Sequence, residues 1–284
     1  MSISRPILKR AIKVSRFYIP LRIYGNKGPY IICVNGVQQS MAMWHSFVSR
    51  FSNEYQIALF DFPGHGKAHV VSGPQKLSLD EQVDILQAVI ESTRFDSTTT
   101  ISTASWGGVV ALAFAVRYPN AIKRLVLGSI GTRPNQRMID TIQQGLIIDT
   151  DDRAKMAGVL IQSFGQNLPE KIKKVITSQF RLMSKNELKT FSEHGLFVIS
   201  TKDLTKLIDV RKIKADTIIL RGEFDTIIDP EDVRFLASQI PRCIVRTVQG
   251  VGHFMHLESD SIFHVYGDCL SGKYSELDAA GMNS

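Results

Sequence analysis

The sequence predicts an α/β fold, with a mostly parallel sheet, helices on both faces and a helical cap insertion. Three observations carry this. Short β-branched or apolar runs alternate with helix-length amphipathic stretches as far as about Gly131, the pattern of crossover connections in a parallel sheet. From Pro134 to Val210 the alternation gives way to helical stretches alone. It resumes at Thr217 and continues to Leu270. The expected division is a core of residues 1–133 and 211–272, a cap of 134–210, and a polar tail of 273–284 that is expected to be disordered.

Taken in order, Ala11–Ser15 and Leu21–Tyr24 read as short strands joined around Tyr18–Pro20, and Pro29–Val34 as a buried strand. A turn-rich loop, Asn35–Ser40, leads into a helix over Met41–Phe51, with Trp44, Phe47, Val48 and Phe51 at helical spacing. Gln56–Phe60 is a strand that ends in Asp61-Phe62-Pro63-Gly64-His65-Gly66, where proline and two glycines force a loop and Asp61 and His65 are expected to shape it. Leu79–Ser92 is a helix capped by Ser78 or Asp80. Thr98–Thr103 is a strand, Val109–Val116 helical, and Ile122–Leu127 a strand.

The insertion reads as helices at Asn135–Ile148, Ala154–Phe164, Pro169–Met183, Lys185–Ser192 and Thr201–Ile208. It either covers a site or only enlarges the core. Thr217–Leu220, a helix at Glu231–Gln239, Ile244–Val248 and a final helix at Leu257–Leu270 complete the core.

At 284 residues the chain is long enough for a large core, and its longest apolar run, Trp106–Val116, is too short for a membrane span of about 20 residues. No signal-peptide pattern opens it, and Cys33, Cys243 and Cys269 are odd in number and widely spaced, as expected of reduced thiols in a cytoplasmic protein. Cys33 is expected in the core. The net charge of +7 comes from Arg5, Lys9, Arg10, Lys13, Arg16, Arg22 and Lys27, which no acid accompanies. Such a segment is either a solvated strand pair or a surface for an acidic partner, a phosphorylated cofactor or an anionic membrane. No nucleic-acid motif accompanies it, so nucleic acid is not expected as a partner.

Chemistry concentrates at three strand ends. Ile101–Gly108 reads strand, tight turn, helix, with Ser105 at the apex. In the nucleophile elbow of α/β-hydrolases such a turn exposes a serine hydroxyl at the sheet edge; here Thr103 replaces the first glycine of G-x-S-x-G. Asp225 follows a later strand and His253 the last one, giving the chain order Ser, Asp, His of that fold's triad. Histidine would take the serine proton and Asp225 would orient the imidazole. Asp229, ahead of Pro230, reads as a helix cap, and His256 as part of the final helix start. The backbone N–H groups of Val37 and Trp106 are expected to form an oxyanion hole. Asn35, Gly36, Trp106 and Phe254 are expected to meet the substrate, and no metal ligands are expected.

Further stretches carry a narrower resemblance. Val34-Asn35-Gly36, Thr103–Gly108, Pro134-Asn135-Gln136, Met138-Ile139-Asp140, Asp151-Asp152, Glu231–Phe235 and Gly252–Ser259 together resemble the 3-(3-hydroxyalkanoyloxy)alkanoic acid synthases of rhamnolipid and related biosurfactant biosynthesis. They also resemble the sister 3-hydroxyacyl carrier-protein transacylases or thioesterases. The likeness runs from about Tyr30 to Leu270, while Asp61–Gly66 and Asp225–Ile228 depart from the pattern. The resemblance implies an acyltransferase that joins two 3-hydroxyacyl chains through a Ser105 acyl-enzyme. Its substrates would be carried on acyl carrier protein or coenzyme A, with no bound cofactor. The cap faces bearing Ile142, Leu146, Val159, Leu160, Phe164, Phe180, Leu182 and Phe197 would line acyl channels, and the basic N-terminus would suit an acidic carrier protein. The rival readings are a thioesterase, a transacylase or a carboxylester hydrolase with the same triad, and a non-catalytic receptor on the same fold.

Overall fold

The computed structural model describes residues 5–273. Nine strands form one sheet: β1 (Leu8–Val14), β2 (Phe17–Tyr24), β3 (Tyr30–Val34), β4 (Gln56–Phe60), β5 (His69–Val70), β6 (Thr100–Ala104), β7 (Arg124–Gly128), β8 (Asp216–Gly222) and β9 (Cys243–Val248). The order is β1-β2-β4-β3-β6-β7-β8-β9, with β5 paired to β2. From β4 to β9 every neighbouring pair is parallel, whereas β2 is antiparallel to β1, β4 and β5. The central strands β3, β4, β6 and β7 are buried almost throughout, which explains why they read as unbroken apolar or β-branched runs.

Helices cover both faces. On one lie α1 (His45–Phe51), α9 (Met255–Glu258) and α10 (Ile262–Ser271), around Trp44, Phe47 and Tyr266. On the other lie α2 (Leu79–Thr93), α3 (Trp106–Arg117) and α8 (Pro230–Gln239). The α2 start is fixed by Ser78, whose side chain accepts from the Glu81 N–H while Glu81 returns the bond to the Ser78 N–H. Between β7 and β8 the chain leaves the sheet to build a helical cap of α4 (Gln136–Leu146), α5 (Arg153–Phe164), α6 (Glu170–Leu182) and α7 (Lys185–Thr201). The cap has a small core of its own, formed by Met156, Ala157, Phe180, Met183 and Leu188.

The structure moves several boundaries. The first hairpin turns at Ser15-Arg16, with Ser15 at φ 53°, and Tyr18–Pro20 lie inside β2. Alternation along Phe17, Ile19, Leu21 and Ile23 buries one face of that strand, and this pattern outweighs Pro20 as a breaker. The stretch Met41–Phe51 opens as a 3-10 turn over Met41–Trp44. The expected helix Lys185–Ser192 continues to Thr201, because Gly195 gives the close approach of α7 to Ile142, whose Cγ2 lies 3.0 Å from where a Cβ would stand. Thr201–Ile208 is instead a 3-10 turn, Leu204–Lys206, and the last helix breaks into α9 and α10 at Ser259–Ser261. The expected disordered tail, apart from Lys273, lies outside the described residues.

Gly107 packs closely against the end of β3. A Cβ there would stand 2.5 Å from the Val34 carbonyl oxygen and 2.6 Å from that of Asn35, so α3 can start where it does only with glycine. Gly158, inside α5, has nothing within 4 Å of the same position. Gly107→Ala should therefore destabilise the protein by about 2–3 kcal/mol. Gly158→Ala should stabilise it by roughly 0.5–1 kcal/mol. Thermal and urea denaturation of the two variants check both signs.

Candidate active site

The turn from β6 into α3 holds Ser105 at φ 48°, ψ −121°, a conformation that costs a non-glycine residue energy and pushes its side chain out of the sheet edge. The turn is pinned by the Ser105 N–H, which donates to the Gly128 carbonyl at 2.7 Å. Gly107 and Gly108 pack under it: a Cβ on Gly108 would stand 2.7 Å from Ile130 Cδ1. Thr103, where glycine was absent from the motif, is a fully buried β6 residue, two places before the turn.

Three strand ends bring the serine, histidine and aspartate together. Ser105 Oγ lies 3.2 Å from His253 Nε2, and His253 Nδ1 lies 2.9 Å from Asp225 Oδ2. A carboxylate only accepts, so Nδ1 carries the proton and Nε2 presents its lone pair to the serine hydroxyl. Burial works against the Asp225 charge, but the His253 charge and hydrogen bond, joined by the N–H groups of Ile227 and Ile228, hold its carboxyl below the ordinary carboxylate range. Those two N–H groups donate to Asp225 Oδ1 at 3.0 and 3.2 Å.

Asp229 does stand at the α8 N-cap position, but its side chain makes no capping bond and accepts from Asn135 Nδ2 at 2.9 Å instead. His256 lies within α9, buried between Trp44 and Tyr266, and burial pushes its imidazole down to about 3. His256 is kept neutral and points away from the serine's partners.

Four further side chains outside the triad hold this geometry. Glu258 accepts from the N–H groups on either side of His253: Gly252 on one oxygen, and Phe254 on the other at 2.9 Å. Ser129 Oγ donates to the His253 carbonyl at 2.6 Å, and Arg221 Nη2 to the Asp225 carbonyl at 3.1 Å. His65 Nε2 accepts from the Gln38 N–H at 2.9 Å, which fixes the loop after β3 from outside. Only His65 carried a sequence signal, as a loop-shaping residue. Glu258 showed as an acid near the start of the expected final helix Leu257–Leu270, a signal that many surface helices share.

The loop after β3 is itself braced. Asn35 Nδ2 donates to Asp61 Oδ1 at 2.8 Å and to the Phe60 carbonyl, while its Oδ1 accepts from Trp44 Nε1 at 2.8 Å. Asp61 also accepts the Met41 N–H at 2.7 Å. Burial pushes Asp61 up to about 6, against the opposing pull of Met41, Asn35 and Arg22. Asn35 and Gly36 thus serve the loop's interior and are not among the residues that line the cavity. Val37, Trp106 and Phe254 do line it. Neither the Val37 nor the Trp106 N–H is taken by another described backbone or side-chain acceptor, so both remain available at the mouth of the Ser105 turn.

Above the serine lies a cavity of about 1280 Å³, its open mouth included. Its walls come from the cap, through Ile142, Leu146, Val159, Leu160 and Phe164 as expected, and from Val109 and Ile228 of the core. Phe180, Leu182 and Phe197 are not among the lining residues. Phe180 fills the cap's own core, Leu182 faces solvent, and Phe197 packs on the neighbouring helices. The sequence shows which side of each helix is apolar but not whether that side meets the cavity, the cap's own core or a neighbouring helix. Among the described residues no three His, Cys, Asp or Glu side chains cluster as metal ligands, and no helix is long and apolar enough to cross a membrane.

Comparison with known proteins agrees with this geometry. Residues 29–260 match the family described as alpha/beta hydrolase fold. An (R)-3-hydroxydecanoyl-ACP:CoA transacylase of Pseudomonas putida is 24% identical over 231 residues, covering 81% of this chain and 77% of its own. A proline iminopeptidase of Pestalotiopsis fici is 24% identical, covering 88% and 95%. Among solved structures, an alpha/beta hydrolase from a deep-sea metagenome library superposes with a TM-score of 0.78 at 20% identity, over 93% of this chain and 97% of that one.

The Glu258 bonds predict a positioning effect. Glu258→Ala frees both N–H groups beside His253, and a misplacement of the base by about 1 Å costs on the order of 100-fold in rate. The expected outcome is a fall in kcat with little change in KM, measured with any ester that the wild type turns over.

Proposed function

Because this chain belongs to the alpha/beta hydrolase fold family, we propose that its site runs acyl transfer through a Ser105 acyl-enzyme, with 3-hydroxyacyl thioesters as donors. The observation that carries the reading is the continuous hydrogen-bonded line Ser105–His253–Asp225 beneath an apolar, cap-walled cavity. His253 Nε2 takes the Ser105 proton as Oγ attacks the thioester carbonyl carbon. The tetrahedral oxyanion is met by the N–H groups of Val37 and Trp106. The C–S bond then breaks, His253 returns its proton to the departing thiolate, and the acyl group remains esterified to Ser105.

A second 3-hydroxyacyl chain would next donate its hydroxyl. His253 would take that proton, the new ester would form, and Ser105 would leave reprotonated, releasing a 3-(3-hydroxyalkanoyloxy)alkanoyl product. Transfer to an alcohol in preference to water requires a cavity that holds the acceptor and keeps water out. The apolar walls from α4, α5 and α7 are suited to that task. The sequence resemblance supports the two-chain product.

A second reading is favoured by the Pseudomonas putida relative, whose name describes movement of a hydroxydecanoyl group from carrier protein to coenzyme A. There the acceptor would be a pantetheine thiol in place of an alcohol, with the same acyl-enzyme.

An acidic carrier protein would find basic residues on the β1–β2 hairpin, four strands from β6 and roughly 19 Å away at the strand spacing. Arg16 is not free for this role. It pairs with Glu81 at 2.9 Å and donates to the Pro74 and Lys76 carbonyls. Arg10 donates to the Ser92 carbonyl. The carrier contact would fall on Lys9 and Lys13.

Mass spectrometry of the purified protein with 3-hydroxydecanoyl thioesters tests the reading. An ester-linked dimer supports the synthase, carrier exchange the transacylase, and free hydroxy acid alone would place the enzyme among thioesterases. Ser105→Ala should abolish all products. Chain length offers a further check at Gly145, a cavity-lining residue of α4 whose Cβ position has nothing within 4 Å. Gly145→Phe should shift the preferred acyl chain to a shorter one, seen as a change in the kcat/KM order across octanoyl, decanoyl and dodecanoyl donors.

A further inference from the structure

Most polar side chains around the cavity have a partner. Gln39 Oε1 accepts the Gly36 N–H at 2.7 Å. Thr132 Oγ1 donates to Asp232 at 2.9 Å, Thr141 Oγ1 to the Arg137 carbonyl at 2.7 Å, and Trp106 Nε1 to Gln82 at 2.9 Å. Arg133 pairs with Asp203 and lies 3.6 Å over the Phe235 ring. Ser129 is bonded to the His253 carbonyl. Outside the triad, this leaves Ser192 and His194 of α7 with no hydrogen bond to another described residue. A helical serine can turn its hydroxyl back to the carbonyl one turn earlier. An imidazole in mid-helix has no such local partner.

His194 stands edge to face with Trp106, ring centroids 4.3 Å apart, and Trp106 directly follows Ser105. This imidazole of the cap therefore lines the cavity beside the ring of the residue that follows Ser105. Burial, with repulsion from His65, pushes its imidazole down to about 4. At neutral pH it carries one N–H, one lone pair and no charge. Such a group suits a neutral hydroxyl, which donates and accepts, and gains nothing special from a carboxylate or phosphate. The walls from α4 and α5 around it are apolar at Ile142, Leu146, Met156, Val159 and Leu160.

We propose that His194 is a specificity residue that hydrogen-bonds a hydroxyl near the carboxyl end of the bound acyl chain, so that the cavity selects β-hydroxylated over plain acyl groups. The inference rests on the acyl-transfer reading of Ser105 and adds a discriminating contact from the cap. A site that hydrogen-bonds a substrate hydroxyl rejects the analogue without one, because its own polar group is left unpaired.

The test compares kcat/KM for 3-hydroxydecanoyl-CoA and decanoyl-CoA in the wild type, His194→Phe and His194→Ala. The wild type should prefer the hydroxylated donor, and both variants should cut that ratio by about 5- to 100-fold. A wild type without preference, or a ratio unchanged in a variant that still reacts with a fluorophosphonate at Ser105, overturns the proposal and leaves His194 as packing for Trp106. The two variants differ in size, so a folding failure in one leaves the other to carry the comparison. Failure of the acyl-transfer reading is distinguishable: the wild type would then turn over neither thioester. In that event, calorimetric binding of 3-hydroxydecanoate against decanoate to the wild type and the His194 variants gives the same ratio. Equal affinities would overturn the proposal there as well.

Discussion

The fit of Gly107 against the carbonyls of Val34 and Asn35 is the contact on which the rest of the site depends. It lets α3 begin directly at the end of β3's neighbour, and so fixes two things at once. Ser105 is forced into its positive-φ turn, and the Trp106 N–H comes to the same sheet edge as the loop after β3. A side chain at position 107 would have to move the backbone of β3 itself. The strain stored at Ser105, of order 1–3 kcal/mol, is offset by this packing and by the short bond from its N–H to Gly128.

A second device recurs around that edge. Asp61 takes the Met41 N–H, Asp225 those of Ile227 and Ile228, Asp232 those of Thr132 and Arg133, and Glu258 those of Gly252 and Phe254. Each carboxylate anchors a loop that secondary structure alone would leave free. Two of them are pushed in opposite directions. Asp225 combines two N–H groups with the His253 imidazole and stays below the usual carboxylate range, although burial opposes it. Asp61 has one N–H and one amide against its burial, and is pushed up to about 6. The carboxylate beside the histidine is thus kept charged, while Asp61, under the loop after β3, is held by the Met41 N–H and the neutral Asn35 amide, which Trp44 in turn braces.

What the sequence disclosed follows the range of the interactions. Strands β3, β4, β6 and β7 were legible because burial on both faces writes an unbroken apolar run, and Ser105, Asp225 and His253 because each follows such a run. The hairpin turn was misplaced because Pro20 is tolerated on a strand whose partner is itself an edge. Asn35 and Gly36 were assigned to substrate because they belong to the same loop as Val37. Which atoms of that loop face the cavity is decided by Asp61 and Trp44, 26 and nine residues away. His194 lay beyond sequence reasoning for the same reason, since its contact with Trp106 is set by how α7 docks, whereas the partners of Glu258 are local N–H groups whose direction the loop conformation decides.

The cap explains how one triad can serve distinct acyl groups. Its own core is five buried residues, and the rest of its apolar surface packs around that core or the sheet's, or faces the cavity or solvent. Each methylene of a bound chain that leaves water contributes about 0.8 kcal/mol wherever it lies along such walls. Apolar burial therefore rewards length without choosing it. Choice comes only where a wall ends the cavity, or where a polar group must be matched. Gly145 belongs to the first kind of limit and His194 to the second. Both lie on cap helices, where a change of lining leaves the β6–α3 contact untouched. The triad is fixed by the sheet edge, and under the proposed acyl transfer the identity of the chain that reaches Ser105 would be decided by α4 and α7.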